Sequence, residues 1–231
     1  LLGSILDFFD KNNLWDDTAL ILTTDHGFML GEHDWWGKGV MPIYNEIAHI
    51  PMFFHHPDFK SLNGSEFNYL TQNIDLMPTF LEMNNIDIPN EVQGKSILSK
   101  LNNVSNTNIP SIYGYWGSGI NITDGNYTFF WYPDNDLDKE LNNYTLMPMH
   151  MRSFFSEEEL QGSKLYYEFK FTKGMPVLKV PYMKKKNQNI MSNINNASVL
   201  FDISNDPLQL NPIKGKKLIK NMKSQIFQKI T

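Results

Sequence analysis

The sequence predicts an α/β portion followed by a small antiparallel β-sheet with a closing helix. Up to about residue 100, stretches with helical spacing alternate with short apolar runs. Beyond that point, short aromatic and β-branched runs are separated by turns that contain glycine. The last stretch is amphipathic and rich in lysine, which is typical of a helix that packs on a sheet. We therefore expect an α/β unit over residues 1–105 and an antiparallel subdomain over residues 106–231.

Two stretches of the first part have helical spacing. Leu1–Asn12 places apolar side chains on one face, and it starts without an initiator Met, a basic leader or a cleavage site. Gln72–Met83 is the second, with Asn73 or Asp75 as the candidate N-cap. Because the sequence begins within this helical pattern, we expect the chain to be a fragment of a longer protein.

The same part contains two candidate strands. Ala19–Thr23 is a short apolar run between polar residues, which is typical of a buried parallel strand. Ile50–Phe54 is a second run, closed by two histidines and a proline. These runs predict the edge of a parallel sheet.

The second part reads as a meander. An Asp-Gly pair at 124–125 is the turn signal of a hairpin. The predicted strands and the closing helix are Ile112–Trp116, Ile120–Thr123, Tyr127–Tyr132, Ser198–Ile203 and Pro212–Ile230. The polar stretch between residues 133 and 196 yields no clear prediction.

Composition excludes several classes of function. The 231 residues contain no cysteine, so disulfides, thiolate zinc sites and a cysteine nucleophile are excluded within them. No run of about 18 apolar residues occurs, so we expect no membrane segment. The lysines near the C-terminus are scattered, without arginine or interleaved aromatics, and we expect no nucleic-acid partner. None of this decides the compartment.

Asp25 and His26 are the candidate metal ligands. They directly follow the predicted strand Ala19–Thr23, the position at which open α/β sheets place their ligands. A carboxylate oxygen and an imidazole nitrogen are both ligands for divalent ions, and Gly27 allows the chain to turn sharply after them. The alternative is a capping aspartate beside a surface histidine.

Lys38 and His33 are the candidate catalytic residues. Lys38 lies between two glycines, 13 positions after Asp25, where its ammonium group could bind an oxyanion and offset charge in a transition state. His33 could protonate a leaving oxygen. The alternatives are a solvated loop lysine and a structural histidine that is hydrogen-bonded to Glu32 or to a backbone carbonyl.

Four ordered blocks resemble the sulfatase family. The first is the signature in which a strand ends in Ser/Thr-Asp-His/Asn-Gly, followed by Gly-Glu/His-His and Gly-Lys. The others are a Tyr-x-Glu block with an x-x-Pro strand, an Asp-Leu-x-Pro-Thr block that ends in Gln-Gly-x-Ser-Leu, and a late Asp-Leu-x-x-Asp-Pro block. Here they read TTDHGFMLGEHDWWGKG, YNEIAHIPMFFHHP, IDLMPTFLEMNNIDIPNEVQGKSIL and LFDISNDPLQLNPI.

The resemblance implies an alkaline-phosphatase-like α/β fold with an antiparallel C-terminal subdomain. It implies hydrolysis of a small-molecule or carbohydrate sulfate ester around one divalent ion, typically Ca²⁺, although an imidazole ligand also suits Mn²⁺ or Zn²⁺. Asp25 and His26 match the family's metal pair, and Lys38 matches the lysine that contacts the sulfate. His33 has no family role that the resemblance assigns.

Two departures from the family pattern stand out. His49 takes the place of the arginine in the family's Arg-Val-Pro step. The family's nucleophile is a formylglycine made from the first residue of Cys/Ser-x-Pro-x-Arg, and this motif is absent. We expect the formylglycine in a missing N-terminal half of the same fold, which would be this chain's partner, and we expect the 231 residues alone to be inactive.

Two other functions fit the same residues. One is hydrolysis of a phosphodiester or a phosphonate monoester by the same superfamily architecture. The other is an inactive remnant that binds an anion or a sugar, with the aromatic residues Trp116 and Trp131 as candidate stacking platforms.

Overall fold

The computed structural model describes residues 1–39, 41–102, 109–116, 119–132, 141–150, 152–182 and 197–230. Within them the chain is mixed α/β. The helices are α1 (Leu2–Lys11), α2 (Asn45–Ala48), α3 (Leu76–Met83), α4 (Ile97–Asn102), α5 (Glu157–Leu160) and α6 (Lys216–Ile230). None of these described helices combines the length and the apolar character that crossing a membrane requires.

Within the described residues, the strands form four small antiparallel sheets. They are β1 (Leu20–Thr23), β2 (Met29–Leu30), β3 (Trp36–Gly37), β4 (Met52–His55), β5 (Ser111–Gly114), β6 (Ile120–Thr123), β7 (Tyr127–Trp131), β8 (Asn142–Thr145), β9 (Lys164–Tyr166), β10 (Val177–Pro181) and β11 (Val199–Asp202). β1 pairs with β4 and β2 with β3, while the larger sheets have the orders β11-β7-β6-β5 and β8-β10-β9.

The predicted parallel direction of the first strand is wrong. β1 runs antiparallel to β4, with Leu20 opposite His55, and all four of its residues are half-buried. A short apolar run gives the same signal in either direction, and the path of the intervening chain decides between them. Here the chain returns through the β2–β3 hairpin and the short helix α2, so that β4 runs alongside β1 in the opposite direction.

The helix predicted from Gln72 begins later. A 3-10 helix covers Asn73–Asp75, and α3 starts only at Leu76. The Asp75 carboxylate turns back to accept the backbone N–H of Gln72 at 3.1 Å and also accepts the N–H of Lys95 at 2.8 Å. Asp75 therefore joins two loops, and the first turn tightens around it.

The sheet of β5, β6, β7 and β11 packs against α6. Its core consists of the buried side chains Ile122, Phe129, Leu200, Met222 and Ile226. The strands lie within two residues of their predicted limits, because alternating apolar residues and the Asp-Gly turn specify them locally. Their assignment to an alkaline-phosphatase-like subdomain stays a prediction.

The predicted boundary at residues 105 and 106 lies outside the described residues, as do residues 133–140 and 183–196 of the stretch that yielded no clear prediction. The division into two units stays a prediction. Hydrogen bonds do connect the two parts: the Gln72 side chain donates to the carbonyl oxygen of Ile112 at 2.9 Å.

Candidate functional site

A tight turn after β1 carries the two candidate metal ligands. Gly27 donates its N–H to the carbonyl oxygen of Ile47 at 2.9 Å, which ties the turn to α2. A Cβ atom at Gly27 would overlap the backbone carbonyl of Glu46, so that only glycine fits here. The Asn73 side chain lies against the same turn and donates to the backbone oxygens of Thr24 at 3.2 Å and Asp25 at 3.3 Å.

The Asp25 carboxylate is open to solvent. Its side chain is 81% exposed, and its Oδ1 accepts the backbone N–H of His26 at 3.0 Å and the Thr24 hydroxyl at 3.3 Å. The hydrogen bond from the His26 N–H, with a smaller contribution from the Thr24 hydroxyl, lowers the pKa of Asp25 below its ordinary value. The group is therefore a carboxylate at neutral pH, with an oxygen left to bind a cation.

The tautomer of His26 follows from its two contacts. Nδ1 lies 2.9 Å from the carbonyl oxygen of Gly27, which only accepts, so Nδ1 carries the ring proton. Nε2 then has a free lone pair, and it accepts a hydrogen bond from Lys38 Nζ at 3.1 Å. A carbonyl that fixes the other ring nitrogen is the usual support of a metal-binding histidine.

Lys38 reaches His26 because the intervening chain forms a hairpin. β2 and β3 pair Met29 with Gly37, which returns the chain to the turn after β1. Gly37 has a φ of 122°, a conformation that favours glycine and directs the chain away from the hairpin at Lys38. The structure therefore brings Asp25, His26 and Lys38 together, as the motif predicts.

His33 lies in a different environment. Its backbone is left-handed, with a φ of 52°, and its side chain is only 10% exposed. The ring stacks on Tyr44 with centroids 3.6 Å apart, and Nε2 lies 3.7 Å from Glu46 Oε2. The predicted role of His33 as a proton donor to substrate stays a prediction, and the contacts show an imidazole enclosed by an aromatic ring and a carboxylate.

The side chains of Asp25 and His26 fit a divalent ion as two of its ligands. Asp25 Oδ2 and His26 Nε2 are 3.4 Å apart. Adjacent ligands at roughly 2.1–2.4 Å from one ion are about 3 Å apart, so a small adjustment lets both bind it. No group of three or more histidine, aspartate or glutamate side chains with metal-site geometry occurs in the described part of the chain.

Sequence reasoning did not single out several residues at the site. Glu46 lies in the Tyr-x-Glu block, and its Oε2 is buried without a hydrogen-bond partner in the described part of the chain. Tyr115 donates its hydroxyl hydrogen to the carbonyl oxygen of Lys38 at 2.7 Å across 77 positions. The Gln209 side chain accepts the N–H of Asn45 at 2.7 Å across 164 positions. Sequence patterns do not reveal contacts of this span.

Residues 31–120 match the family model described as N-sulphoglucosamine sulphohydrolase, C-terminal. An N-acetylglucosamine-6-O-sulfatase of Bacteroides thetaiotaomicron is 29% identical over 174 residues, which cover 68% of this chain and 30% of that protein. An arylsulfatase K of Xenopus laevis is 30% identical over 139 residues, covering 58% of this chain and 25% of that protein. The chain thus spans less than a third of the length of either relative.

A solved structure shares the fold. It holds a protein in complex with its substrate D-glucosamine-2-N,6-O-disulfate, and it superposes with a TM-score of 0.51 and 17% identity over 98% of this chain and 36% of that chain. The family model covers Lys38 and begins after Asp25 and His26. Residues 31–120 thus match the C-terminal portion of a sulfatase family, and the chain is similar in sequence to sulfatases.

Proposed function

We propose that this chain forms part of the active site of a hydrolase for sulfate monoesters. The observation that supports the proposal is the convergence of Asp25, His26 and Lys38 at one solvent-open place, with Lys38 Nζ 3.1 Å from His26 Nε2 and Asp25 Oδ2 3.4 Å from the same nitrogen. A carboxylate, a neutral imidazole and an ammonium group together suit a cation and an anionic ester side by side.

Asp25 and His26 would hold the divalent ion in this proposal, and Ca²⁺ is the ion we propose first. Such an ion polarises ester oxygens and offsets negative charge. Contacts within this chain leave both ligands ready to bind the ion. The Gly27 carbonyl keeps the Nε2 lone pair of His26 free, and the N–H of His26 keeps Asp25 ionised. Two ligands are too few for calcium, so the remaining oxygens have to come from elsewhere.

Lys38 would bind the sulfate. Its ammonium group donates up to three hydrogen bonds, and only one is directed to His26. When a cation takes the Nε2 lone pair, the ammonium group is released to donate to an oxygen of the ester. There it stabilises the charge that develops as the bond to the leaving oxygen breaks.

The nucleophile is proposed to lie outside these 231 residues. They contain no cysteine and no serine within a Ser-x-Pro-x-Arg motif, the source of a formylglycine. Both relatives are more than three times as long as the matched part. The exposed apolar side chains of α1, which are Leu2, Ile5, Leu6 and Phe8, support the proposal that further chain of the same fold packs on this helix.

The proposed substrate is a carbohydrate sulfate ester. One relative is named an N-acetylglucosamine-6-O-sulfatase, and the structure with the shared fold holds a sulfated glucosamine. Both names describe those proteins, and they favour a sulfated amino sugar as the first substrate to test.

The test compares substrates in the protein that contains these residues. We expect an aryl sulfate and a 6-O-sulfated glucosamine to be hydrolysed, and a matched aryl phosphodiester to react at least about tenfold more slowly, since a tenfold ratio is already a clear preference in transition-state binding. Faster cleavage of the phosphodiester would overturn the substrate assignment, and no cleavage of any ester would leave a binding remnant. Turnover by the isolated 231 residues would refute the missing nucleophile.

Variants test the residues. Lys38→Met should lower kcat on the aryl sulfate by about 10²- to 10³-fold, as does the loss of one donor to a developing oxyanion. Asp25→Asn should remove bound Ca²⁺, measured by calorimetry and by elemental analysis of the purified protein. The control is Asp87→Asn, which changes an exposed aspartate in the loop after α3. Equal calcium content in both variants would refute the role of Asp25.

A further inference from the structure

Side chains from the second part of the chain hold the main chain around Lys38. We call residues 38–45 the lysine segment, of which residue 40 lies outside the described residues. At its start, the Tyr115 hydroxyl donates to the carbonyl oxygen of Lys38 at 2.7 Å. Further along, the buried amide of Asn121 on β6 donates to the carbonyl oxygen of Ile43 at 3.3 Å. Strand β6 and the residue directly after β5 thus contact the lysine segment at two carbonyls.

The end of the lysine segment is held by the turn after β11. Gln209 is 1% exposed, and its Oε1 accepts the backbone N–H of Asn45 at 2.7 Å. The Asn45 amide in turn donates to the carbonyl oxygen of Pro207 at 3.2 Å. The turn is itself ordered, because the Asp206 carboxylate accepts the N–H groups of Leu210 at 3.1 Å and Asn211 at 2.7 Å.

Apolar packing supports the same contacts. Met29, Met41, Ile43 and Ile47 form one buried cluster around the lysine segment. The rings of Tyr113 and Tyr115, among others, pack against that cluster from the second part of the chain. The Tyr115 ring is therefore held in place by packing, and its hydroxyl is presented to Lys38 in a fixed direction.

We propose that Tyr115 is a positioning residue for Lys38, within a clamp formed by Tyr115, Asn121 and Gln209. This proposal rests on the proposed function, because it gives the clamp the task of placing the ammonium group that binds the sulfate. A lysine side chain has four rotatable bonds, so its ammonium group reaches one place reliably only if the backbone that carries it is fixed. The clamp fixes that backbone through two carbonyl oxygens and one N–H group.

The kinetic test is a double-mutant cycle in the protein that contains these residues. Tyr115→Phe keeps the packed ring and removes only the hydrogen bond. We expect it to lower kcat on an aryl sulfate about tenfold with KM changed less than about twofold, because a misplaced catalytic group weakens binding of the transition state more than of the substrate. In the Lys38→Met background the same change should have less than about a twofold effect.

A matched control separates this effect from a general loss of structure. Tyr166→Phe on β9 also removes one hydroxyl hydrogen bond, to Glu168 at 3.0 Å, and should leave kcat unchanged. An equal tenfold loss in the Lys38→Met background would overturn the proposal, because Tyr115 would then act by another route.

A second readout does not depend on catalysis. In hydrogen–deuterium exchange, Tyr115→Phe should speed exchange of the amides in the lysine segment by about tenfold, while peptides from β8 and β10 keep their rates. Unchanged exchange in the lysine segment would overturn the clamp, whatever the protein hydrolyses. Faster exchange in a protein without sulfatase activity would uphold the clamp and reject the proposed function, so the two failures are distinct.

Discussion

Lys38 Nζ lies 3.1 Å from His26 Nε2, the ring nitrogen that the Gly27 carbonyl leaves unprotonated. In the proposed function, the ammonium group and a divalent ion would therefore compete for one lone pair. Lys38 would occupy that lone pair before the ion binds, and binding of the ion would release its ammonium group.

Competition between the Lys38 ammonium group and the ion predicts the effect of Lys38→Met on metal affinity. Removing the ammonium group should tighten binding of Ca²⁺ by roughly tenfold, because about 1–2 kcal/mol of repulsion at this distance in a solvent-open site is lost together with the competing hydrogen bond. Calorimetric titration of the apo protein measures the change. Lys229→Met, at the exposed end of α6, is the control. Weaker Ca²⁺ binding by Lys38→Met than by the wild type would contradict this competition.

Gly27 should not tolerate a side chain. Gly27→Ala forces a methyl group onto the Glu46 carbonyl, and the turn and α2 have to separate. We expect a loss of about 3 kcal/mol in the free energy of unfolding, at the upper end for an overpacked position. Urea unfolding measures it. Gly3→Ala on α1 is the matched control, since open space surrounds Gly3 and alanine favours a helix. Similar losses in both variants would contradict this account.

Asp75 should be the most sensitive carboxylate outside the site. Its side chain is nearly buried and pairs with Lys100 Nζ at 2.9 Å, in addition to two backbone N–H groups. Asp75→Ala should lower the free energy of unfolding by about 3 kcal/mol or more, because a partly buried ammonium group and two amides lose their partner. Chemical unfolding measures this loss, with Asp87→Ala, which removes an exposed carboxylate, as the control. Equal unfolding midpoints of the two variants would show that the Asp75–Lys100 pair contributes nothing to stability.

The raised pKa of Tyr132 predicts that the protein loses stability at alkaline pH. Burial, with smaller contributions from Tyr44 and Tyr115, raises its pKa from 10.0 to about 12. Because the fold favours the neutral phenol, the contribution of Tyr132 to stability is full below pH 10 and disappears as the pH rises towards about 12. The free energy of unfolding should therefore fall less between pH 9 and pH 11.5 in Tyr132→Phe than in the wild type. Identical pH dependence of both proteins would contradict the assignment.

The sequence predicted the proximity of three side chains better than it predicted what supports them. Asp25, His26 and Lys38 lie within one hairpin-length stretch, where spacing and glycines specify the local path, and their roles stay a prediction. Tyr115 and Gln209 were missed because their contacts span 77 and 164 positions and depend on how separate elements pack.

The fold shows the same division. β6 and β7 were located closely, since alternating residues and an Asp-Gly turn define a hairpin locally. The predicted direction of β1 was wrong because an apolar run does not indicate whether its strand pairs parallel or antiparallel. The path by which the chain returns decides the direction of pairing. The role of His33 could not be decided from its sequence neighbours, as its ring contacts Tyr44 and Glu46 beyond the hairpin.

The buried amide of Asn121 has a consequence for carbohydrate attachment. Asn121 begins the triplet Asn-Ile-Thr, an acceptor for N-linked glycans, yet its side chain is 2% exposed and its Nδ2 is engaged by Ile43. A glycan on that nitrogen has no room in the folded chain and would separate β6 from the residues next to Lys38. In a glycosylating compartment, the glycan would therefore be attached to the exposed acceptor at Asn63 in preference to Asn121. Asn121 would be modified only if the transferase acted before β6 folded.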